Sequence, residues 1–384
     1  PPFDPDGPVG HRHVSELQRR HPSLGLMEPS LSRPALGPLR ALLPLGIGLT
    51  VVGWMVARTL EEQGGWSALE GTVTLPGWPM ALALMVLLVL LRDGGYVLRL
   101  RWLSNGDLTW RQAIETTVLW EFASAITPGI VGGGAVAIWG LHRQGMTAGR
   151  STAVVFSTAL LDELFYVLAV PPLLLVLGEA VRPDGLGGGF GWGVFWVGWG
   201  LMVLLAAVIG CGLFLAPNGT HGLLRRVAGW RWLARWRSRM EAYADDLLES
   251  SEQMRALSGK QWGGAFVATV ISWSARFLTL VAVMGMVVAP LASLEALLIV
   301  ARQLVMWVFL LVSPTPGSSG VAEWLLGVFF GPWLDLAPSP LAAAMTMLIW
   351  RMATHFLYLL VGVLVIPGWL RRTGRGKAAR SAEL

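Results

Sequence analysis

Two Pro-Gly breaks inside otherwise apolar sequence constrain this chain more than any other feature. The first runs Thr127-Pro128-Gly129-Ile130-Val131-Gly132-Gly133-Gly134, and the second Ser313-Pro314-Thr315-Pro316-Gly317-Ser318-Ser319-Gly320. Each follows an apolar run of helical length and precedes a short one. Proline lacks a backbone donor and glycine adopts conformations other residues avoid, so both end helices and leave backbone polar groups without intrahelical partners. In hydrocarbon such groups persist only where protein covers them or where they line a wet cavity. One break in each half predicts a transporter-like site built from broken helices, with Thr127, Pro128, Gly129, Gly132, Gly133, Thr315, Pro316, Gly317 and Gly320 among its residues.

The surrounding sequence makes a bilayer the relevant solvent. Of 384 residues, 54% are hydrophobic and 14% charged, whereas an average soluble domain carries about 25% charge. Several apolar runs reach the roughly 20 residues that cross a bilayer. The predicted fold is an all-α polytopic membrane protein with about six full spans, near 38–60, 79–103, 151–177, 190–216, 262–288 and 341–366. Two broken-helix re-entrant hairpins accompany them: 109–126 with the short helix after the first break, and 291–312 with 321–330. In domain terms, 1–34 reads as a disordered leader, 35–370 as a single transmembrane domain, and 371–384 as a basic tail. A polar insertion at 217–260 interrupts the domain.

Cys211 is the sole cysteine, which excludes an intramolecular disulfide and any cysteine-based metal cluster. His11 and His13 lie in the polar leader and are not expected to hold a metal, and no cofactor is expected. No HExxH or GxSxG motif occurs, and the first break lacks the Lys-Ser/Thr end of a phosphate-binding loop. The chain is therefore read as a transporter-like protein rather than an enzyme.

Charge distribution sets the expected topology. With the N-terminus inside, the basic residues at 99–111, the 142–150 loop, the 217–260 insertion and the tail all fall on the cytoplasmic side. An odd number of crossings then separates the breaks, so they enter from opposite faces, as inverted repeats do. The insertion holds Arg225, Arg226, Arg231, Arg235, Arg237, Arg239, Arg255 and Lys260, with Trp230, Trp232 and Trp236 among them. Two readings stand side by side: an amphipathic surface on anionic lipid, or a solvated connecting hairpin. Nucleic acid is not an expected partner.

Charges inside apolar runs face protein or water rather than lipid. Arg92 and Asp93 read as structural. Arg276, Arg302 and Arg351 read as substrate groups, since the guanidinium fork matches phosphate. Glu323 would either orient an arginine or cap the short helix after the second break. Asp162 and Glu163 diverge by about 100° on a helix, so at most one points straight at a given cavity; either would serve as a proton carrier.

These residues together resemble a known family. Arg101-Trp102-Leu103, Leu108-Thr109-Trp110-Arg111-Gln112-Ala113, Thr127-Pro128-Gly129 and Gly132-Gly133 are similar to the transmembrane region of lysylphosphatidylglycerol synthases, a flippase-like domain also found alone. Pro314-Thr315-Pro316-Gly317, Gly320-Val321 and Glu323 match its second motif, and Arg351 a further position. Where many members carry an acid and an arginine, this chain has Gly134 and Ala137. Where members often carry an acid-arginine pair in the fourth span, it has Asp162-Glu163. Both departures argue against lysyl-phosphatidylglycerol itself as substrate, and the aminoacyltransferase domain of full-length synthases is missing from this sequence. The resemblance implies an inner-membrane flippase for an anionic, aminoacyl-phospholipid-like lipid. Alternatives are a polyprenyl-phosphate or glycolipid flippase, a membrane-embedded transferase, or a scaffold partnering a lipid synthase or glycosyltransferase. Oligomeric state is left open.

Overall fold

The computed structural model describes residues 78–127, 131–183, 189–288, 291–311, 317–337 and 339–382, with single positions at 50, 57, 61, 313 and 315. The leader, most of the expected 38–60 span, and Pro128, Gly129, Ile130, Pro314 and Pro316 lie outside the described residues. All regular structure among the described residues is helical.

Helix α1 (Trp78–Leu103) stops where Asn105 and Gly106 take positive φ, and Gly106 N–H returns to the Arg101 carbonyl at 3.0 Å. This left-handed turn relieves the unpaired carbonyls of the helix end. Helix α2 (Trp110–Ile126) starts from a capping box. Gln112 N–H donates to Thr109 Oγ1 at 3.3 Å, and Thr109 N–H donates back to Gln112 Oε1 at 2.9 Å. Such a box pairs two donors that the first turn otherwise leaves open. Past the first break, α3 (Val131–Arg143) leads to α4 (Ala148–Leu177), capped by Thr147.

Helix α5 (Gly189–Gly210) ends in one wide turn, Cys211–Leu215. The 217–260 insertion forms α6 (Pro217–Ala228) and α7 (Arg237–Arg255), joined by a tight helical segment at Arg231–Trp236. Helix α8 (Gly259–Val287) opens on a second capping box, Ser258 with Gln261. Then come α9 (Ser293–Leu311), α10 (Val321–Leu334) and α11 (Pro340–Arg351). A second wide turn, Met352–Phe356, joins α11 to α12 (Leu357–Ala382).

Among the described residues, 6 helical segments are long and apolar enough to cross a membrane. Five of them coincide with the spans expected near 79–103, 151–177, 190–216, 262–288 and 341–366. Most of the 38–60 span is outside the described residues, and the sixth segment is α9, expected as a hairpin arm, which qualifies at 19 residues. The reason is length: about 28 Å at 1.5 Å per residue approaches the core thickness of a bilayer. The expected basic tail also continues α12 as helix to Ala382.

Helices α1 and α8 pack most intimately. Gly264 admits the Trp102 ring, and a Cβ there would stand 0.7 Å from a ring carbon. Ser272 Oγ donates to the Arg92 carbonyl at 2.9 Å across the same seam.

Helix α4 gives the bundle a scale, since its 30 residues span about 45 Å. At its N-terminal end, Asp246 of α7 accepts from Gly149 N–H at 2.6 Å and from Thr147 Oγ1 at 2.7 Å. The open end of the α2–α3 pair lies at this end too, with Thr116 Oγ1 donating to Gln144 Oε1 at 3.4 Å. Past its C-terminal end, the Ala180 carbonyl accepts Arg302 Nη2 of α9 at 2.9 Å, while Arg302 Nη1 donates to the Phe329 carbonyl of α10 at 2.8 Å. Arg302 thus ties α9 and α10 together beside the C-terminal end of α4, away from the Thr116–Gln144 bond at its N-terminal end.

Candidate functional site

The two pairs meet at their breaks. Gly317 N–H donates to the Thr127 carbonyl at 3.4 Å. Gly317 has φ +55°, and a Cβ on it would stand 2.7 Å from the Ala125 carbonyl oxygen and 2.1 Å from a His355 ring carbon. Only a residue without a side chain lets the backbones close to this distance.

A cavity of about 810 Å³ opens beside the junction. Thr127, Gly317 and Ser318 contribute to its wall from the breaks. Arg351, Thr354, His355 and Tyr358 line it from one helical stretch. Their spacing, i, i+3, i+4 and i+7, places them on one face of a helix, and the i→i+5 turn lies within that stretch. Phe156 of α4 and Val208 of α5 line the cavity and are also exposed on the outside of the bundle, so the apolar wall continues toward the surroundings.

Most charges around this space are paired. Arg92 bonds Glu121, and Arg276 reaches the same carboxylate at 4.0 Å. Arg99 holds Asp162 with Nη1 and Nη2, and Asp162 Oδ1 also accepts the Trp273 indole N–H at 2.7 Å. Asp93 accepts the Tyr358 hydroxyl at 2.8 Å. Arg351 Nε stands 2.7 Å from Glu323 Oε1, and its Nη2 reaches Ser319 Oγ at 3.3 Å and the Gly317 carbonyl at 3.4 Å. Glu323 performs both roles considered for it, because its other oxygen accepts Gly320 N–H at 2.6 Å, before the first turn of α10.

Two groups stand apart. The Arg276 guanidinium lies 4.6 Å from the Trp307 ring centre and 5.2 Å from that of Trp273, and among the described residues it donates no hydrogen bond. The Glu163 side chain is buried and lines the cavity, yet among the described residues Glu163 Oε2 has no hydrogen-bond partner.

Among the residues singled out from sequence, Thr127, Asp162, Glu163, Arg276, Gly317 and Arg351 line the cavity. Asp162 and Glu163 both reach it, where geometry had allowed one to point straight in; Asp162 turns to Arg99 and Trp273 and leaves the second aspect to Glu163. Glu323 touches the cavity only through Arg351. Gly132 and Gly133 sit behind it, packed on Thr127, Ser124 and Trp120 of α2. Thr315 pairs with the Ser313 hydroxyl at 3.0 Å, and Gly320 turns the chain at φ +83°. Pro128, Gly129 and Pro316 are outside the described residues. Arg302 is placed elsewhere: it ties α9 to the Ala180 and Phe329 carbonyls, with its guanidinium 5.0 Å from the Trp333 ring centre.

Sequence reasoning missed Arg99, which it set in a polar flank although its side chain is buried against Asp162. It also missed the aromatic wall of Tyr96, Tyr166, Trp273 and Trp307. The one signal for Arg99 was its place inside a helical run that continues to Leu103.

Comparison with known proteins agrees with this architecture. Residues 41–362 match the family described as the lysylphosphatidylglycerol synthase TM region. The chain is also similar to a UPF0104 membrane protein of Archaeoglobus fulgidus, 21% identical over 283 residues, covering 71% of this chain and 81% of the relative.

Proposed function

The chain belongs to the lysylphosphatidylglycerol synthase TM region family, and from that premise we propose that it is a lipid flippase of the inner (cytoplasmic) membrane. Its substrate in this reading is an anionic phospholipid, of the aminoacyl-phospholipid kind, whose head group crosses between leaflets while the acyl chains stay in lipid. The observation that carries the proposal is the contact between the two breaks beside a cavity that combines charged groups with an apolar wall reaching the outside of the bundle. A lipid needs both, since its phosphate seeks donors and its tails seek apolar surface.

Helix length supports re-entrant hairpins. At 13 and 14 residues, α3 and α10 measure about 20 Å, short of the roughly 30 Å hydrocarbon core. Entering from opposite ends, each with one arm too short to cross, the α2–α3 and α9–α10 pairs would form two inverted-topology repeats with the substrate at their meeting point. Arg276 is the phosphate-gripping group: it faces the cavity, its nearest carboxylate is shared with Arg92, and the flanking indoles hold its plane. Polyprenyl-phosphate lipids present the same phosphate chemistry.

A second reading, a membrane scaffold for a lipid synthase or glycosyltransferase, draws on the pairing of Arg92, Arg99 and Arg351 with Glu121, Asp162 and Glu323. Purified protein in liposomes, assayed for leaflet exchange across anionic, polyprenyl-phosphate and zwitterionic lipids, separates the two. Movement of a phosphate lipid above empty liposomes supports the flippase. No movement of any lipid, with co-purification of a membrane transferase whose activity changes, supports the scaffold.

A further inference from the structure

The α6–α7 hairpin takes no part in the cavity. Its base is tied to the bundle. Thr220 Oγ1 donates to the Gly212 carbonyl at 2.8 Å, the Tyr243 hydroxyl donates to Thr152 Oγ1 at 3.0 Å, and Asp246 holds the start of α4. His221 and Asp245 join the two arms at 2.6 Å.

The tip differs from the base. Trp232 is 89% exposed and Trp230 61%, and Leu223 in the middle of α6 is 61% exposed. Arg225, Arg226, Arg231, Arg235, Arg237 and Arg239 surround them, and residues 217–240 contain no Asp or Glu. The first carboxylate, Glu241, is taken by Arg237 at 2.9 Å. Indole rings left in water are unfavourable, but an indole with a guanidinium neighbour suits the head-group layer of a bilayer, where the ring meets acyl carbon and the cation meets phosphate. Anionic lipid attracts basic clusters close to its surface. Helix α6 begins within a few residues of the end of the α5 span, so the hairpin starts at the membrane boundary.

We propose that the 223–239 tip docks onto anionic lipid head groups of the leaflet at which α5 emerges, with Trp230 and Trp232 inserted and the arginines on phosphates. This surface is separate from the cavity, and its function does not depend on the transport reading. A soluble protein partner or a second copy of the chain are the competing occupants, and charge complementarity favours lipid: the surface is wholly basic over its length.

The test uses the full chain in nanodiscs. In a Cys211→Ser background, Ala234→Cys and separately Ser238→Cys carry a bimane fluorophore. Discs contain phosphatidylcholine alone or with phosphatidylglycerol. In the anionic discs, emission should fall with spin-labelled lipid, resist aqueous iodide, and recover iodide sensitivity at high salt or when Trp230→Ser, Trp232→Ser, Arg231→Gln and Arg235→Gln are combined. Neutral discs should show iodide quenching and no lipid quenching. Equal lipid quenching in both discs, or quenching that survives the combined variant, overturns docking on anionic lipid. Iodide sensitivity in every disc overturns docking altogether, and shielding from both quenchers assigns the surface to protein instead.

Discussion

Replacing Gly317 with alanine tests the contact on which the site depends. The substitution carries two costs. A non-glycine residue at φ +55° pays about 1–2 kcal/mol for the left-handed conformation. The added Cβ would also stand 2.7 Å from the Ala125 carbonyl oxygen, which is backbone and cannot swing away, and 2.1 Å from a His355 ring carbon. Forcing one such carbon into a packed interior costs about 1–3 kcal/mol more. The sum, about 2–5 kcal/mol, has an internal reference. Gly106 also has positive φ, but a Cβ there meets nothing within 4 Å, so Gly106→Ala should lose only about 1–2 kcal/mol. Thermal unfolding in mild detergent, followed by intrinsic fluorescence, would rank wild type above Gly106→Ala and that above Gly317→Ala. Leaflet exchange should survive in the first variant and fail in the second. Equal stability of the two variants, with exchange intact in both, would refute the close approach of the breaks.

Glu323→Gln leaves the buried Arg351 without its carboxylate and should cost about 3–5 kcal/mol in thermal unfolding, most of it recovered when Arg351→Met is added. Asp162→Asn should cost a similar amount, because Arg99 is buried against it, whereas Glu163→Gln, which breaks no ion pair among the described residues, should change stability by less than about 1 kcal/mol. Asp246→Ala removes the two bonds that Asp246 accepts from Thr147 and Gly149 at the start of α4; the loss should be about 1–2 kcal/mol, read as faster amide exchange at residues 147–150.

Much of the fold is legible in the sequence because bilayer spans announce themselves as long apolar runs, and because proline and glycine mark where helices must stop. The caps are equally local: Thr109 with Gln112 and Ser258 with Gln261 are adjacent on the chain and need no tertiary knowledge. Pairing is another matter. Arg99 reads as a membrane-flanking residue until Asp162, far along the chain, is found beside it. Arg302 has the same chemistry as Arg276 and sits nearer the second break in sequence, yet carbonyls at 180 and 329 claim it, and no local pattern foretells that. The wide turn at Met352–Phe356 carries neither proline nor glycine. Arg351, Thr354, His355 and Tyr358, spaced i, i+3, i+4 and i+7, share one helix face by periodicity alone, but which neighbours that face meets, and so the cavity it lines, could not be read from the sequence.

The most direct measurement of the proposed transport site is leaflet exchange of an anionic phospholipid in liposomes by wild type, Arg276→Gln and Arg302→Ala, normalised to folded protein. Loss of one charge-assisted contact to phosphate, about 1.5–3 kcal/mol, corresponds to roughly a 10- to 150-fold loss in apparent affinity for the head group. That loss is expected for Arg276→Gln alone, with Arg302→Ala lowering the yield of folded protein but not the affinity of what remains. Unchanged affinity in Arg276→Gln, or the same loss in Arg302→Ala, would contradict a phosphate site at the meeting of the breaks.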